Sequence, residues 1–376
     1  LSRVVALAGG IVGATFEQRV SGWRAFDPHQ LTLSLGSVGN VLAASSDRWD
    51  ALHYIGIAEH GYRTAGDTVF FPLYPLLIHV VAWLTRSYVL AGVLISTGAF
   101  LVAMVLLHRL VSEELDAHSA DATVVLLCFA PAAFFFTAIY TESLFLALSV
   151  GAFYLARRGK FGYACVAAAA ATLTHAEGIV LIAPLAAIYL QSRGTRDARG
   201  VISLRAAPLL LPPLALFALL AYLHSRGFGW LAPISNESTY KVQTVGPLTT
   251  AARAVSAGIG GLLNALSGHR GSGSGPLDFV YLVEAVISLA ALGLAWRRLP
   301  KVYVLYSALF LLACTGGPVV GLPLRGFDRY SLMLFPLWAA AAQWLSRRGL
   351  LRAAVATEAV LLFFYASQFA HWSYAF

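Results

Sequence analysis

The chain is 376 residues long, 59% hydrophobic and only 12% charged, whereas a soluble domain carries roughly a quarter charged residues. That composition excludes an ordinary soluble enzyme and predicts an all-α polytopic membrane protein. The net charge of +8 resides in short basic clusters between apolar runs, which is what orientation in a bilayer requires, so no nucleic-acid partner is expected.

Residues 1–16 are apolar but short and read as the remainder of a first membrane helix; no separate signal peptide is expected. Residues 17–69 mix acids, bases and aromatics and carry too many charges to cross a bilayer. The run 70–85, FFPLYPLLIHVVAWLT, is apolar but short, with two early prolines and His79. Further spans are expected near 89–107, 122–139, 144–156, 163–174, 179–190, 207–223, 279–296, 302–315, 331–345 and 353–369. Several fall below the roughly 20 residues of a comfortable crossing.

If 70–85 lies on the surface, the clusters Arg157/Arg158/Lys160, Arg193/Arg196/Arg199/Arg205, Arg297/Arg298/Lys301 and Arg347/Arg348/Arg352 all fall on the side of the N-terminus. The positive-inside rule makes that side cytoplasmic. The expectation is a single domain over 1–376 with about eleven spans. Residues 17–88 form a first outer loop with a juxtamembrane helix, and residues 225–277 form a long outer loop. The acidic loop 108–121 would then be cytoplasmic without a basic excess. Residues 268–275, rich in Gly and Ser, read as a linker. Glu237, Lys241 and Arg253 read as solvated loop charges. Cys128, Cys165 and Cys314 lie in apolar runs and read as core residues.

This topology gathers 47–62, the turns 140–143 and 175–178, and the loops 225–277 and 316–330 on the outer face. They carry Asp50, Glu59, Glu142, His175, Glu177, Arg325, Asp328 and Arg329. Ionisable groups at membrane depth tend to line a cavity or pathway. The densest stretch is 47–62, DRWDALHYIGIAEHGY. At helical spacing Asp50, His53, Tyr54 and Ile57 share a face, so a carboxylate, an imidazole and a phenol can point into one pocket. The plainer alternative is a surface helix capped by Asp47 or Asp50.

No Walker sequence, dinucleotide fingerprint, HExxH or nucleophile elbow is present. His53 and His60 can share a face with Asp50, but no close-spaced ligand pair accompanies them, so neither a metal nor another cofactor is expected. An enzyme without nucleotide-binding apparatus would use a substrate already activated and already in the lipid.

The segments RWDALHYIGIAEHGY, FFPLYP, YTESLF at 140–145 and DRYSLMLFPL at 328–337 occur in that order. Together they resemble the PIG-V family, which contains the second mannosyltransferase of GPI-anchor biosynthesis and its prokaryotic relatives. The family belongs to the GT-C superfamily, so the resemblance implies a GT-C-like fold and a sugar taken from a polyprenyl-phosphate donor at the non-cytoplasmic face. The acceptor would be a lipid-linked sugar or a glycan. The resemblance also implies a catalytic acid in the first outer loop, which the motif places at Asp50. His175 stands where relatives have the arginine of TRxxG.

With a lipid phosphate as leaving group, the reaction needs a base for the acceptor hydroxyl and cationic help for the departing phosphate. Asp50 is the expected base, and direct displacement would invert the anomeric centre. Arg329 is the first phosphate-clamp candidate, because guanidinium grips phosphate bidentately. Arg48, Arg63 and His175 are second choices. Trp49, Tyr54, Tyr62 and Tyr140 are expected to stack on sugar or prenyl groups, and Tyr330 belongs to the substrate-binding set. His53, Glu59 and Glu177 join the substrate-binding set, and Glu142 would bind sugar hydroxyls or hold Arg329. The rival reading is a transporter or flippase of a lipid-linked sugar, but no internal repeat of 47–62 is visible. A non-catalytic subunit is a third reading, and the intact WD…GY stretch speaks against it.

Overall fold

The computed structural model describes residues 1–16, 23–193, 204–240, 242–243, 245–267 and 275–373. Among them the chain is helical, and its only bridges of β type join Val319 to Val242 and to Leu322. The first half carries α1 (Ser2–Thr15), α2 (Gly36–Ala43), α3 (Asp50–His60), α4 (Leu73–Thr85), α5 (Tyr88–Glu114), α6 (Ala117–Phe129), α7 (Glu142–Arg157) and α8 (Phe161–Thr172). The second half carries α9 (Ile182–Arg193), α10 (Leu211–Ser225), α11 (Ala232–Ser235), α12 (Pro247–Ser267), α13 (Pro276–Arg298), α14 (Lys301–Cys314), α15 (Phe327–Ser331), α16 (Phe335–Arg347) and α17 (Leu351–Ala370). Lys241, Arg196, Arg199 and nearly all of 268–275 lie outside the described residues.

Four stretches are long and apolar enough to cross a bilayer: Tyr88–Glu114, Arg205–Ser225, Pro276–Arg298 and Leu351–Ala370. Shorter apolar helices surround them, among them α1, α4, α6, α8 and α14. The protein is therefore an integral membrane protein, and a count of eleven crossings goes beyond what these lengths establish. Large residues such as Leu101, Phe217, Ile287 and Val360 are exposed on the long helices, where lipid would cover them.

Close packing brings the two ends of the chain together. α1 lies along α17, and a Cβ added to Gly13 would stand 2.2 Å from the Ser367 carbonyl oxygen, so only glycine permits this approach. The centre is aromatic: Phe134, Phe135, Phe136, Phe145, Phe153, Tyr306 and Phe310 are fully buried.

Two expectations need correction. Helix α5 does not end near 107 but runs on to Glu114. Its last turn is tied down, with Arg157 Nε donating to Glu114 at 2.5 Å, Tyr303 Oη donating to the same carboxylate at 3.0 Å, and Arg158 pairing with Glu113. Glu113 and Glu114 thus sit against the basic C-terminal end of α7. Residues 225–277 are not simply a loop, since α12 covers 21 of them. Its buried Thr250, Ala254, Gly258 and Gly261 recur at helical spacing and form the stripe that packs on α13.

The basic ends of α7, α13 and α16 gather with 113–118 at one end of the bundle, where His118 meets Ser346 at 2.6 Å and Arg298 donates to Gln343 at 2.8 Å. The segments 46–50, 139–142, 175–177, 237–240, 242–243 and 314–330 gather at the opposite end.

Candidate active site

Asp50 owes its position to the turn before it. Trp49 adopts φ +58°, a left-handed conformation that costs a non-glycine residue of order 1–3 kcal/mol and must be held by its surroundings. Its indole is packed against Phe26 and Trp372, with ring centroids 4.8 and 5.4 Å away. Asp47 and Arg48, both 1% exposed, pair with each other, and Arg48 Nε donates to the Ala370 carbonyl at 3.3 Å. The Tyr140 hydroxyl is the strut of the turn: it donates to the Arg48 carbonyl at 3.1 Å and accepts from the Asp50 N–H at 3.1 Å. Asp50 is thereby the first residue of α3, and no side chain caps that helix.

The Asp50 carboxylate faces a cavity of about 410 Å³ whose walls also carry Tyr54, Phe70, His175, Glu177, Glu237, Tyr240, Arg325, Arg329 and Tyr330. Arg329 Nη1 donates to Asp50 Oδ2 at 2.6 Å, and no other side chain among the described residues donates to that carboxylate. Arg329 Nε lies 3.1 Å from Glu142 Oε1, and Glu142 is 1% exposed. The guanidinium sits 5.4 Å from the Tyr140 ring centroid and touches the Tyr330 hydroxyl. Burial alone would raise the Asp50 carboxyl, but the Arg329 guanidinium outweighs it, with help from His53 and Arg325, and holds it below the usual carboxylate range. Asp50 is therefore ionised at neutral pH and 28% exposed into the cavity.

His175 Nδ1 pairs with Glu177, and the His175 ring packs edge-on against Tyr330 at 5.7 Å. The turn carrying them closes tightly, since a Cβ on Gly178 would fall 2.3 Å from the Thr172 nitrogen. His53 stacks on Phe70 at 4.7 Å and reaches the Tyr240 hydroxyl at 3.4 Å. The Tyr54 hydroxyl lies 3.5 Å from Thr141 Oγ1.

The structure thus brings Asp50, Tyr54, Tyr140, Glu142, His175, Glu177, Arg329 and Tyr330 together, with His53 beside them. It does not bring in the others. Arg48 is buried behind the turn and Trp49 is locked in an aromatic cluster. Tyr62 lies behind the wall residue Phe70, donating to its carbonyl at 2.7 Å, and does not itself line the cavity. Glu59 and His60 are exposed and face each other 3.7 Å apart. Arg63 is exposed, with its backbone N–H bonded to Asp67. Among the described residues no group of His, Cys, Asp or Glu is arranged to hold a metal.

Sequence reasoning missed Tyr240, Glu237 and Cys314, which line the cavity without belonging to any motif. Glu237 is no solvated loop charge: burial, then nearby Glu177, pushes its carboxyl up.

A model of the family described as Mannosyltransferase (PIG-V) matches residues 22–224, more than half of the chain. The chain belongs to the PIG-V family. Among curated relatives, the rat GPI alpha-1,6-mannosyltransferase 2 is 31% identical over 226 residues, covering 53% of this chain and 45% of the relative. The human GPI alpha-1,6-mannosyltransferase 2 is 33% identical over 172 residues, 42% of this chain and 35% of the relative. The Schizosaccharomyces pombe GPI mannosyltransferase 2 is 28% identical over 121 residues, 31% and 26% of the two chains. This PIG-V family member therefore matches less than half the length of these relatives. Among solved structures, the Archaeoglobus fulgidus oligosaccharyltransferase, in complex with zinc and sulfate, aligns with all of this chain and 53% of its own. Its 14% identity and TM-score of 0.40 are too low to argue from. The family match includes Asp50, Tyr140, Glu142, His175 and Glu177, but Arg329 and the other residues of 314–330 lie beyond it.

Proposed function

We propose that the protein is a mannosyltransferase that moves mannose from a polyprenyl-phosphate donor to a hydroxyl of a lipid-linked or glycan acceptor. The observation that carries this reading is the Asp50–Arg329 pair, 279 positions apart in sequence, lining one open cavity in a PIG-V family chain. The relatives' names supply the sugar, and the absence of a nucleotide-binding sequence supports a lipid-borne donor.

In the proposed reaction the acceptor oxygen attacks the anomeric carbon from the face opposite the phosphate. The bond from that carbon to the phosphate oxygen breaks with inversion, and polyprenyl phosphate departs. The acceptor proton passes to Asp50. Oδ2 is engaged by Arg329, so Oδ1 is the oxygen left to receive it. Glu142 holds the far edge of the guanidinium, and Arg329 keeps Asp50 ionised until the proton arrives. Tyr54, Phe70 and Tyr330 offer aromatic faces to the sugar. The cavity end faces away from the cytoplasm in this reading, because the basic clusters gather at the other end.

Purified protein in detergent or lipid should transfer mannose from polyprenyl-phosphate mannose and leave GDP-mannose untouched. Efficient transfer from GDP-mannose alone would overturn the reading.

A further inference from the structure

The cavity holds two arginines whose electrostatic situations differ. Arg329 carries one positive charge between two carboxylates, Asp50 at 2.6 Å and Glu142 at 3.1 Å. That cluster is net negative by one charge when both acids are ionised, which is a poor receptor for an anion. His175 is likewise committed, paired with Glu177. Arg325 is different. Its side chain is half-buried on the wall of the same cavity, and among the described residues it forms no ion pair and no side-chain hydrogen bond. Glu237, on the wall of that cavity too, is not within ion-pair distance of it.

The backbone around Arg325 is firmly placed. Its N–H donates to the Leu322 carbonyl at 3.0 Å, and the flanking Leu324 and Phe327 are buried. The loop ahead of it is pinned to Val242 and Gln243 by the Gln243 N–H to the Pro318 carbonyl at 2.9 Å and by the Val242–Val319 bridge. Arg325 acts on the Asp50 carboxylate only from a distance, and a half-buried guanidinium on fixed backbone with no carboxylate in direct contact is a charge that an anionic ligand would complete.

We propose that Arg325, rather than Arg329, binds the phosphate of the lipid substrate. The inference rests on the lipid-phosphate reading of the reaction. Arg325 takes the phosphate oxygens in the bound donor and in the departing polyprenyl phosphate, while Arg329 remains with Asp50 and Glu142. The division lets one site bind an anion and still keep an ionised base beside it.

The test is direct binding of polyprenyl monophosphate, with neutral polyprenol as the control ligand, to full-length protein in detergent, run beside the transfer assay. Arg325→Ala should weaken the phosphate by roughly tenfold or more, the size of a lost charge-assisted hydrogen bond, and leave polyprenol unchanged. The donor KM should rise by a similar factor, with a smaller effect on kcat. Arg325→Lys should recover part of the affinity, because the charge returns without the fork. Unchanged phosphate affinity in Arg325→Ala beside wild-type transfer overturns the assignment and leaves the proposed reaction standing. Arg325-dependent phosphate binding without mannosyl transfer keeps the subsite and overturns the reaction. A wild-type protein that neither binds the phosphate nor transfers mannose overturns both.

Discussion

Arg329 sets the electrostatics of the site. Glu142, 1% exposed, depends on it for its positive partner, and removing one member of a buried pair costs about 3–5 kcal/mol. A cleaner probe of its effect on Asp50 is therefore Arg329→Gln combined with Glu142→Gln, which does not leave the Glu142 carboxylate buried without its partner. Burial raises the Asp50 carboxyl and Arg329 is the main influence that lowers it, so losing the guanidinium moves it up. The acid limb of the pH–rate profile should move to higher pH in the double variant, because Asp50 then takes up a proton sooner as pH falls. An unmoved limb would show that Arg329 does not govern the ionisation on which catalysis depends. The same sign applies to stability. The contribution of a depressed Asp50 is present above its unfolded value and is lost as pH falls through its folded value. Motif proximity located Asp50 correctly but could not say which neighbours share its direction. The positive φ at Trp49 turns the chain, so Arg48 and Trp49 point into a packed layer while Asp50 faces the cavity. Glu59 lies nine residues further along α3, about 13.5 Å at helical rise, too far to share the site.

At the scale of elements, the helices with strong apolar runs were legible, since length and hydropathy are local properties. Helix α12 was not. Its buried stripe is Thr250, Ala254, Gly258 and Gly261, small residues with little apolar signal of their own, two of them glycines that press against α13. The end of α5 was misplaced for a related reason. Glu113 and Glu114 suggest a loop until their partners Arg158 and Arg157, on another helix, are known. Tyr240 likewise needs the contact with His53 before it belongs to the site. Long-range pairing decides these cases, and a single sequence does not contain it.

For the whole molecule, the bundle separates a basic end from the end that holds the cavity, with α7 running from Glu142 at one to Arg157 at the other. On a cysteine-free background, Ser235→Cys, exposed at the cavity end, should react with an impermeant thiol reagent from the non-cytoplasmic side. Lys160→Cys, exposed at the basic end, should react only from the cytoplasmic side. Labelling of both from one side would overturn the orientation. The proposed mechanism itself turns on one carboxylate. Asp50→Asn keeps the shape of the side chain and removes its basicity. The decisive measurement is the turnover of purified Asp50→Asn with polyprenyl-phosphate mannose, alongside its donor affinity and thermal stability. The account predicts a fall in turnover of roughly a hundredfold or more with donor affinity retained. Turnover near that of the wild type would remove Asp50 from the mechanism and contradict the account.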